Sequence, residues 1–181
     1  MQRAERITER IKLLLLMSLF AAPALAAWVA HQVWQPGTGN NYGELLQPSV
    51  PRLAGMTDVA GRPADLAALK GRWVLLTVVK GECGPACRQQ LHLGRQVLIA
   101  QGRERERVVQ ALIQSEEAAL AEQPDLYRYR VPGEVLAAWP DPVRSYIVDP
   151  LGRVMLRFPA AAEGKGMLRD LRQLLKASQI G

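Results

Sequence analysis

The chain has 181 residues, 49% of them hydrophobic, and a formal net charge of +6 at pH 7. This length suits one domain of ordinary size with an extension, and the apolar content excludes a wholly disordered chain. The basic residues are interleaved with acidic ones, as in residues 103–107 (RERER), and form no dense basic tract. A slightly basic, solvated surface is therefore expected, and nucleic-acid binding is not.

The N-terminal segment combines early positive charges with a long apolar run. Residues 1–12 contain four Arg or Lys and two Glu, and no charged residue occurs from 13 to 43. The run 13–34 is long enough to cross the hydrocarbon core, which takes about 20 apolar residues. Positive charges on its N-terminal side alone predict a single transmembrane helix with residues 1–12 in the cytoplasm. The expected location is the bacterial inner membrane, with the rest of the chain in the periplasm.

A cleaved signal peptide is the alternative interpretation of this segment. Residues 24–26 (ALA) match the small-x-small cleavage pattern, and residues 13–22 could serve as the apolar region before it. The apolar run continues past that site to Val33, which favours an anchor. Under both interpretations the remainder is exported to a compartment that permits disulfides.

The exported part begins with a linker and continues as alternating strands and helices. Residues 35–55 are rich in Gly, Pro and Asn and predict a linker or extended arm before a domain over 56–181. The elements predicted after it are a strand at 73–79, a helix at 85–101, a strand at 108–113, a helix at 116–123, a strand at 127–131, a helix at 134–139, a hairpin of 145–148 and 154–158, and an amphipathic helix at 165–177. This order predicts an α/β fold with helices around a mixed sheet.

Both cysteines lie in residues 80–88 (KGECGPACR), between the first long strand and the following helix. Pro85 suits the first turn of a helix, so Cys83 is expected at the lip of the helix N-terminus. The positive end of a helix stabilises a thiolate there. The spacing brings the Cα atoms of Cys83 and Cys87 to roughly 6 Å, within the range of a disulfide. The same spacing lets two thiolates bind one soft cation such as copper(I).

Three interpretations of the pair remain open on chemical grounds. The position and the exported compartment favour cycling between dithiol and disulfide. Copper binding would need a third ligand from elsewhere. A structural bridge is the weakest explanation, because closing so short a loop removes little chain entropy.

The order of these elements resembles the SCO family of membrane-anchored, thioredoxin-like copper chaperones of cytochrome c oxidase assembly. The resemblance is carried by the strand before Cys-x-x-x-Cys, the helix after it, and the late hairpin with residues 146–152 (YIVDPLG). Residues 41–46 (NYGELL) and 175–181 (LKASQIG) resemble a small SCO-like membrane protein. The resemblance implies a thioredoxin-like fold. It also implies the inner membrane and cytochrome c oxidase subunits or other assembly factors as partners.

The chain departs from the SCO pattern at the metal site. SCO proteins hold copper with two cysteines and a histidine before the late hairpin, where this chain reads AWPDPVRS at 138–145. His31 falls in or beside the predicted span, and His92 points away from the thiols because five residues turn a helix by about 140°. Asp141 is the side chain expected near the vacant ligand position, but a carboxylate is a poor ligand for copper(I).

We therefore predict that Cys83 and Cys87 are the catalytic residues of a thiol–disulfide oxidoreductase. Cys83 is expected to attack a partner disulfide and Cys87 to resolve the mixed disulfide. Two alternatives are kept: a non-enzymatic chaperone that binds copper(I) through the same two thiolates, and a scaffold with vestigial cysteines.

Overall fold

The computed structural model describes residues 2–33, 41–115, 123 and 125–178. The chain divides into two compact units, Met1–Gly39 and Asn40–Gly181. The first unit is helix α1 (Gln2–Val33), which contains Pro23. No helix among the described residues is both long enough and apolar enough to traverse a lipid bilayer. The predicted span 13–34 is therefore not shown, and its last residue lies outside the described part.

The second unit is an α/β domain. Within the described residues, one sheet contains β1 (Glu44–Ser49), β2 (Thr57–Asp58), β3 (Trp73–Val79), β4 (Val108–Ser115), β5 (Leu126–Val131), β6 (Val143–Val148) and β7 (Val154–Arg157), in the spatial order β1-β7-β6-β3-β4-β5-β2. The α-helices in the described part of this unit are α2 (Pro85–Ile99), α3 (Gly133–Ala137) and α4 (Gly164–Ala177). The pairs β3–β4 and β4–β5 are parallel, whereas β3–β6, β6–β7, β1–β7 and β2–β5 are antiparallel. The predicted mixed sheet is confirmed.

The two central strands explain where the core lies. Every residue of β3 and of β4 is buried, as continuous apolar runs require when both faces of a sheet are covered. On one face, Leu75 of β3 packs in a cluster with Met167 and Leu171 of α4. On the other face, Leu76 packs in a cluster that includes Leu136 of α3. The sheet therefore separates two apolar layers.

Most predicted elements are present with small shifts at their ends. The strand at 73–79 has the predicted bounds, α2 starts at the predicted Pro85, and the hairpin and the last helix are found where the sequence places them. The helix predicted at 116–123 lies outside the described residues except for Gln123.

Two strands lie where the sequence predicted none. Within the predicted linker 35–55, β1 pairs with β7, and it belongs to the compact unit Asn40–Gly181. The side chains of β1 are almost all exposed and Pro48 lies within it, which removes the apolar alternation that identifies strands. Proline is tolerated because β1 is an edge strand. The other unpredicted strand, β2, has only two residues.

Candidate thiol–disulfide site

Cys83 and Cys87 are joined by a disulfide at the N-terminus of α2, with their Cα atoms 5.1 Å apart. The chain leaves β3 at Val79 and turns through Gly81, whose φ of +100° lies in the region that favours glycine. Gly84 is the N-cap with an extended backbone, and Pro85 occupies the first turn. The structure thus brings the two predicted site residues together. Their catalytic role remains a prediction.

The two cysteines differ in exposure. Cys87 is 0% exposed and packs in a small apolar cluster with Val79, Leu91 and Leu112. Cys83 is only partly buried and lies at the edge of that cluster. Cys83 is therefore the more accessible residue of the pair, and Cys87 is sealed from solvent. This asymmetry is the one expected of an attacking and a resolving thiol.

Positive charge lies beside Cys83, the less buried of the two cysteines. The Nη1 of Arg88 donates a hydrogen bond of 2.9 Å to the carbonyl oxygen of Cys83. Gly84 has no side chain with which to cap α2, so N–H groups of the first helical turn remain directed toward the cysteine loop. Both features favour a thiolate at this position. Lys80 instead donates to the carbonyl of Ala137 at 3.4 Å.

A buried polar chain lies under α2, one turn beyond Cys87. The hydroxyl of Ser145 donates to Oε1 of Gln90 at 3.1 Å, and the hydroxyls of Ser145 and Thr77 are 3.3 Å apart. Gln90 in turn donates to the carbonyl of Ala160 at 3.3 Å. The sequence analysis did not predict this group of hydrogen-bonded side chains. The only signal was the single hydroxyl residue of the apolar strand β3, Thr77, which lies opposite Ser145 in the β3–β6 register.

The cysteines are bordered by the point at which the α3–β6 segment enters β6. Val143 packs against the Cys87 cluster, and the N–H of Lys80 donates to the carbonyl of Pro142 at 2.8 Å. Trp139 packs in the core cluster on the opposite face of the sheet and not in the Cys87 cluster. Only the end of this segment therefore lines the site.

Asp141, the residue expected near the vacant ligand position, forms an ion pair with Arg144. Its carboxylate accepts a hydrogen bond from Arg144, which also donates to the carbonyl of Phe158 at 3.0 Å. The Arg144 hydrogen bond, opposed by burial, holds the pKa of Asp141 below its ordinary value. A carboxylate held in this way is a constrained ion-pair partner rather than an open ligand.

The donor set does not complete an SCO-type copper site. Among the described residues, no three His, Cys, Asp or Glu side chains lie close enough together to hold a metal. His92 is exposed on α2, and the side chain of His31 lies outside those described. When reduced, the pair supplies two sulfur ligands, the soft donor type that copper(I) prefers.

Comparisons with known proteins agree with the fold. The family model described as "Transmembrane-like, thioredoxin-like, C-terminal domain" matches residues 73–178. The crystal structure of yeast Sco1 with copper bound matches with a TM-score of 0.58 at 14% identity, covering 74% of this chain and 96% of that one. Yeast Sco1 in a second crystal structure matches with a TM-score of 0.56 at 13% identity, covering 80% and 97%. No curated protein matches the sequence. The thioredoxin-like fold implied by the resemblance is thereby confirmed.

Proposed function

Since the chain belongs to the family of the transmembrane-like, thioredoxin-like C-terminal domain, we propose that it acts by thiol–disulfide exchange through Cys83 and Cys87. One observation carries the proposal: a partly exposed Cys83 is bonded to a fully buried Cys87 at a helix N-terminus. Redox-active pairs need one accessible sulfur and one protected sulfur that can close an internal ring.

The exchange proceeds in two balanced steps. In the reduced protein, the Cys83 thiolate attacks a partner disulfide, a mixed disulfide forms, and one partner sulfur leaves as a thiolate that takes up a proton. Cys87 loses its proton and attacks the Cys83 sulfur, the mixed disulfide breaks, and the second partner thiolate leaves. The partner gains two electrons, and this protein is left with the Cys83–Cys87 disulfide of the present structure. A dithiol in the same compartment then reduces the pair for another cycle.

The surroundings of the pair support this order of events. The guanidinium of Arg88 and the N-terminus of α2 stabilise Cys83 as the thiolate before attack and as the leaving group in the reverse reaction. Burial of Cys87 among Val79, Leu91 and Leu112 keeps other thiols from the resolving sulfur. The mixed disulfide is therefore resolved within the protein.

The cellular setting proposed is the periplasmic face of the bacterial inner membrane. The uncharged stretch over residues 13–43 and the description of the family support membrane attachment through the N-terminal unit. The resemblance to the SCO family supports partners among cytochrome c oxidase subunits or assembly factors that receive a metal through reduced thiols. Extraction of the full chain from membranes tests the attachment. Release by alkaline carbonate would contradict an integral anchor.

Copper(I) delivery is the second candidate. Two cysteines 5.1 Å apart at their Cα atoms can bind one linear copper(I) ion when reduced. The ion would be cargo, completed by a ligand from the partner. An anaerobic copper(I) titration against a competing chelator measures the affinity and the stoichiometry of copper(I) binding, with Cys83→Ser/Cys87→Ser as the control. Tight one-to-one binding that the control loses would favour delivery over redox exchange.

The experiment that tests exchange is trapping of the mixed disulfide. Cys87→Ser should accumulate a covalent complex with the partner in cells, visible on a non-reducing gel and released by a reductant. The matched variant Cys83→Ser retains one thiol of the same pair and should trap nothing, because its remaining sulfur is buried. Equal trapping by both variants, or none by either, would contradict the mechanism. Normal oxidase assembly with both cysteines replaced would instead support a scaffold.

A further inference from the structure

The exposed side of helix α4 carries a row of positive charges, which we call the basic stripe. Its four members are exposed and follow one another at intervals of four, three and four residues: Lys165, Arg169, Arg172 and Lys176. At 100° per residue, these intervals keep all four within an arc of about 60° on one side of the helix. The four side chains line one surface depression, to which Leu168 adds an apolar patch.

The neighbouring acids neutralise little of this charge. The one acidic residue of α4, Asp170, lies 3.7 Å from Arg169, but its side chain is buried and its two oxygens accept hydrogen bonds from backbone N–H groups. Arg172 donates to the carbonyl of Ala100 at 2.8 Å, which positions the guanidinium without cancelling its charge. Helix α2, which packs beside α4, has two arginines and no acid. On α4 and its N-cap, four exposed cations therefore face one exposed carboxylate, that of Glu163.

The chain enters the compact unit beside this stripe. The backbone N–H groups of Tyr42 and Gly43 donate to Asp170, and the ring of Tyr42 lies against Gly166. Gly166 and Asp170 each follow a member of the basic stripe directly in the helix. The seven residues 34–40 join this point to the end of α1, and they can span at most about 25 Å in any conformation. A surface that holds α1 would thus be within reach of α4.

We propose that the basic stripe docks on the anionic phospholipid headgroups of the membrane to which α1 attaches. This docking rests on the attachment proposed above and adds the side of the domain that faces the lipid. Each Lys or Arg near an anionic leaflet is attracted to it, and the aliphatic stems can lie along apolar surface while the charged ends reach the phosphates. An acidic protein would suit the same charges, but only the membrane is brought to the stripe by the chain itself.

The test measures how fast individual lysines of the full chain are acetylated in lipid nanodiscs. The reagent is the neutral N-hydroxysuccinimide ester of acetic acid, and mass spectrometry gives each rate in discs of phosphatidylcholine with or without phosphatidylglycerol. We expect phosphatidylglycerol to slow Lys165 and Lys176 several-fold, because headgroup phosphates cover their ammonium groups, and high salt to restore the rates. Lys70 is the internal control. It is exposed and follows a helical turn packed on the opposite face of the sheet, so its rate should not change.

The other outcomes contradict the docking. Rates at Lys165 and Lys176 that do not depend on phosphatidylglycerol would overturn it, and so would equal slowing of Lys70. A chain that co-purifies with the discs but shows no protection would refute the docking and leave the membrane attachment standing. A chain that does not co-purify with the discs would refute both. Thiol–disulfide exchange is measured separately, by trapping of the mixed disulfide.

Two double variants assign the protection to α4. Arg169→Gln/Arg172→Gln removes half of the basic stripe and keeps both reporter lysines, so the ratio of rates in the two kinds of disc should approach one. Arg52→Gln/Arg62→Gln removes the same charge outside α4 and should keep the full protection. Thermal unfolding checks that both variants fold. Because Arg172 also bonds to Ala100, Arg169→Glu alone decides the matter should the first variant be unstable. Full protection in Arg169→Glu would refute the docking.

Discussion

The carboxylate of Asp170 in α4 accepts a hydrogen bond of 2.7 Å from the backbone N–H of Gly43. Its other oxygen accepts from the N–H of Tyr42 at 2.9 Å, and the residue is 1% exposed. The Tyr42 hydroxyl accepts a hydrogen bond from the N–H of Glu163 at 2.9 Å. The last helix thus holds the segment that enters β1, at the start of the compact unit.

Replacing Gly166 by alanine should break this attachment. A Cβ atom at Gly166 would lie 2.3 Å from the ring of Tyr42, so the ring must leave its place. We expect Gly166→Ala to lower the free energy of unfolding by about 1–3 kcal/mol, in spite of the higher helix propensity of alanine. Denaturant titration of the full chain measures the change.

Gly164→Ala is the matched control for this prediction. It lies in the same helix, but a Cβ there would meet only Leu93, at an ordinary 3.7 Å. Its stability should equal or slightly exceed that of the wild type. Equal stability of the Gly166 and Gly164 variants would mean that α4 does not hold Tyr42.

The polar chain beneath α2 should behave as one unit. Ser145→Ala leaves Oε1 of Gln90 and the hydroxyl of Thr77 without their common partner. The expected loss is about 1–3 kcal/mol of unfolding free energy. Thr77→Val keeps the shape of the side chain and removes the second hydroxyl. In the double variant the loss should therefore be smaller than the sum of the single losses. Additive losses would mean that Thr77, Ser145 and Gln90 do not act as one hydrogen-bonded group.

The ion pair of Asp141 with Arg144 should make stability depend on pH in the acid range. The pKa of Asp141 is lowered in the folded protein, chiefly by the Arg144 hydrogen bond. Its stabilising contribution is therefore complete above the unfolded-state pKa, near 3.8, and is lost as the pH falls through the lower folded value. The stability difference between wild type and Asp141→Asn should shrink as the pH is lowered from about 6 to about 3. Urea titrations at each pH measure it.

The background variant Arg144→Gln provides the control for this pH dependence. With the arginine absent, Asp141→Asn should change the acid profile much less, because the largest cause of the lowered pKa of Asp141 is gone and only the weaker effects of Arg157 and Lys80 are left. A profile that stays the same in both backgrounds would assign the dependence to other groups. Asp58 is one such group, since hydrogen bonds from Arg62 lower its pKa too.

Reduction of the disulfide should weaken the domain only modestly. A bridge that closes a loop of about five residues contributes about 2 kcal/mol in the chain-entropy model. The reduced protein should remain folded and be at least as stable as Cys83→Ser/Cys87→Ser, in which a hydroxyl replaces the buried thiol of Cys87. Circular dichroism and denaturant titration with and without a reductant measure both. Unfolding of the domain on reduction would make the bridge a structural one.

The parts of the fold that were predictable depend on short-range signals. The apolar run of Trp73–Val79 identified β3, and Pro85 after Gly84 marked the start of α2. The edge strand β1 was missed because its exposed side chains and Pro48 carry the composition of a linker. It is a strand because β7 supplies backbone hydrogen bonds to it, and this pairing joins residues more than a hundred positions apart.

The cysteine pair itself could be found from the sequence, because four residues of spacing at a helix start nearly determine a distance. Which of the two sulfurs is accessible depends on Leu112 of β4 and on Val143 of β6, which pack around the pair from distant parts of the chain. For Asp141, too, the sequence indicates where the residue lies but not what it contacts. Its position before the hairpin could be read directly, but its engagement by Arg144 could not.

The sequence alone determined the alternation of strands and helices and the presence of a closely spaced pair of cysteines at a helix start, since periodicity, caps and close spacing act within one or two helical turns. Only the tertiary structure decided that Cys87 is sealed from solvent, that the side chains of Gln90, Ser145 and Thr77 form one hydrogen-bonded group, and that Asp141 is paired with Arg144. These facts depend on which distant side chains are packed together, and packing is set by the whole fold rather than by any local stretch.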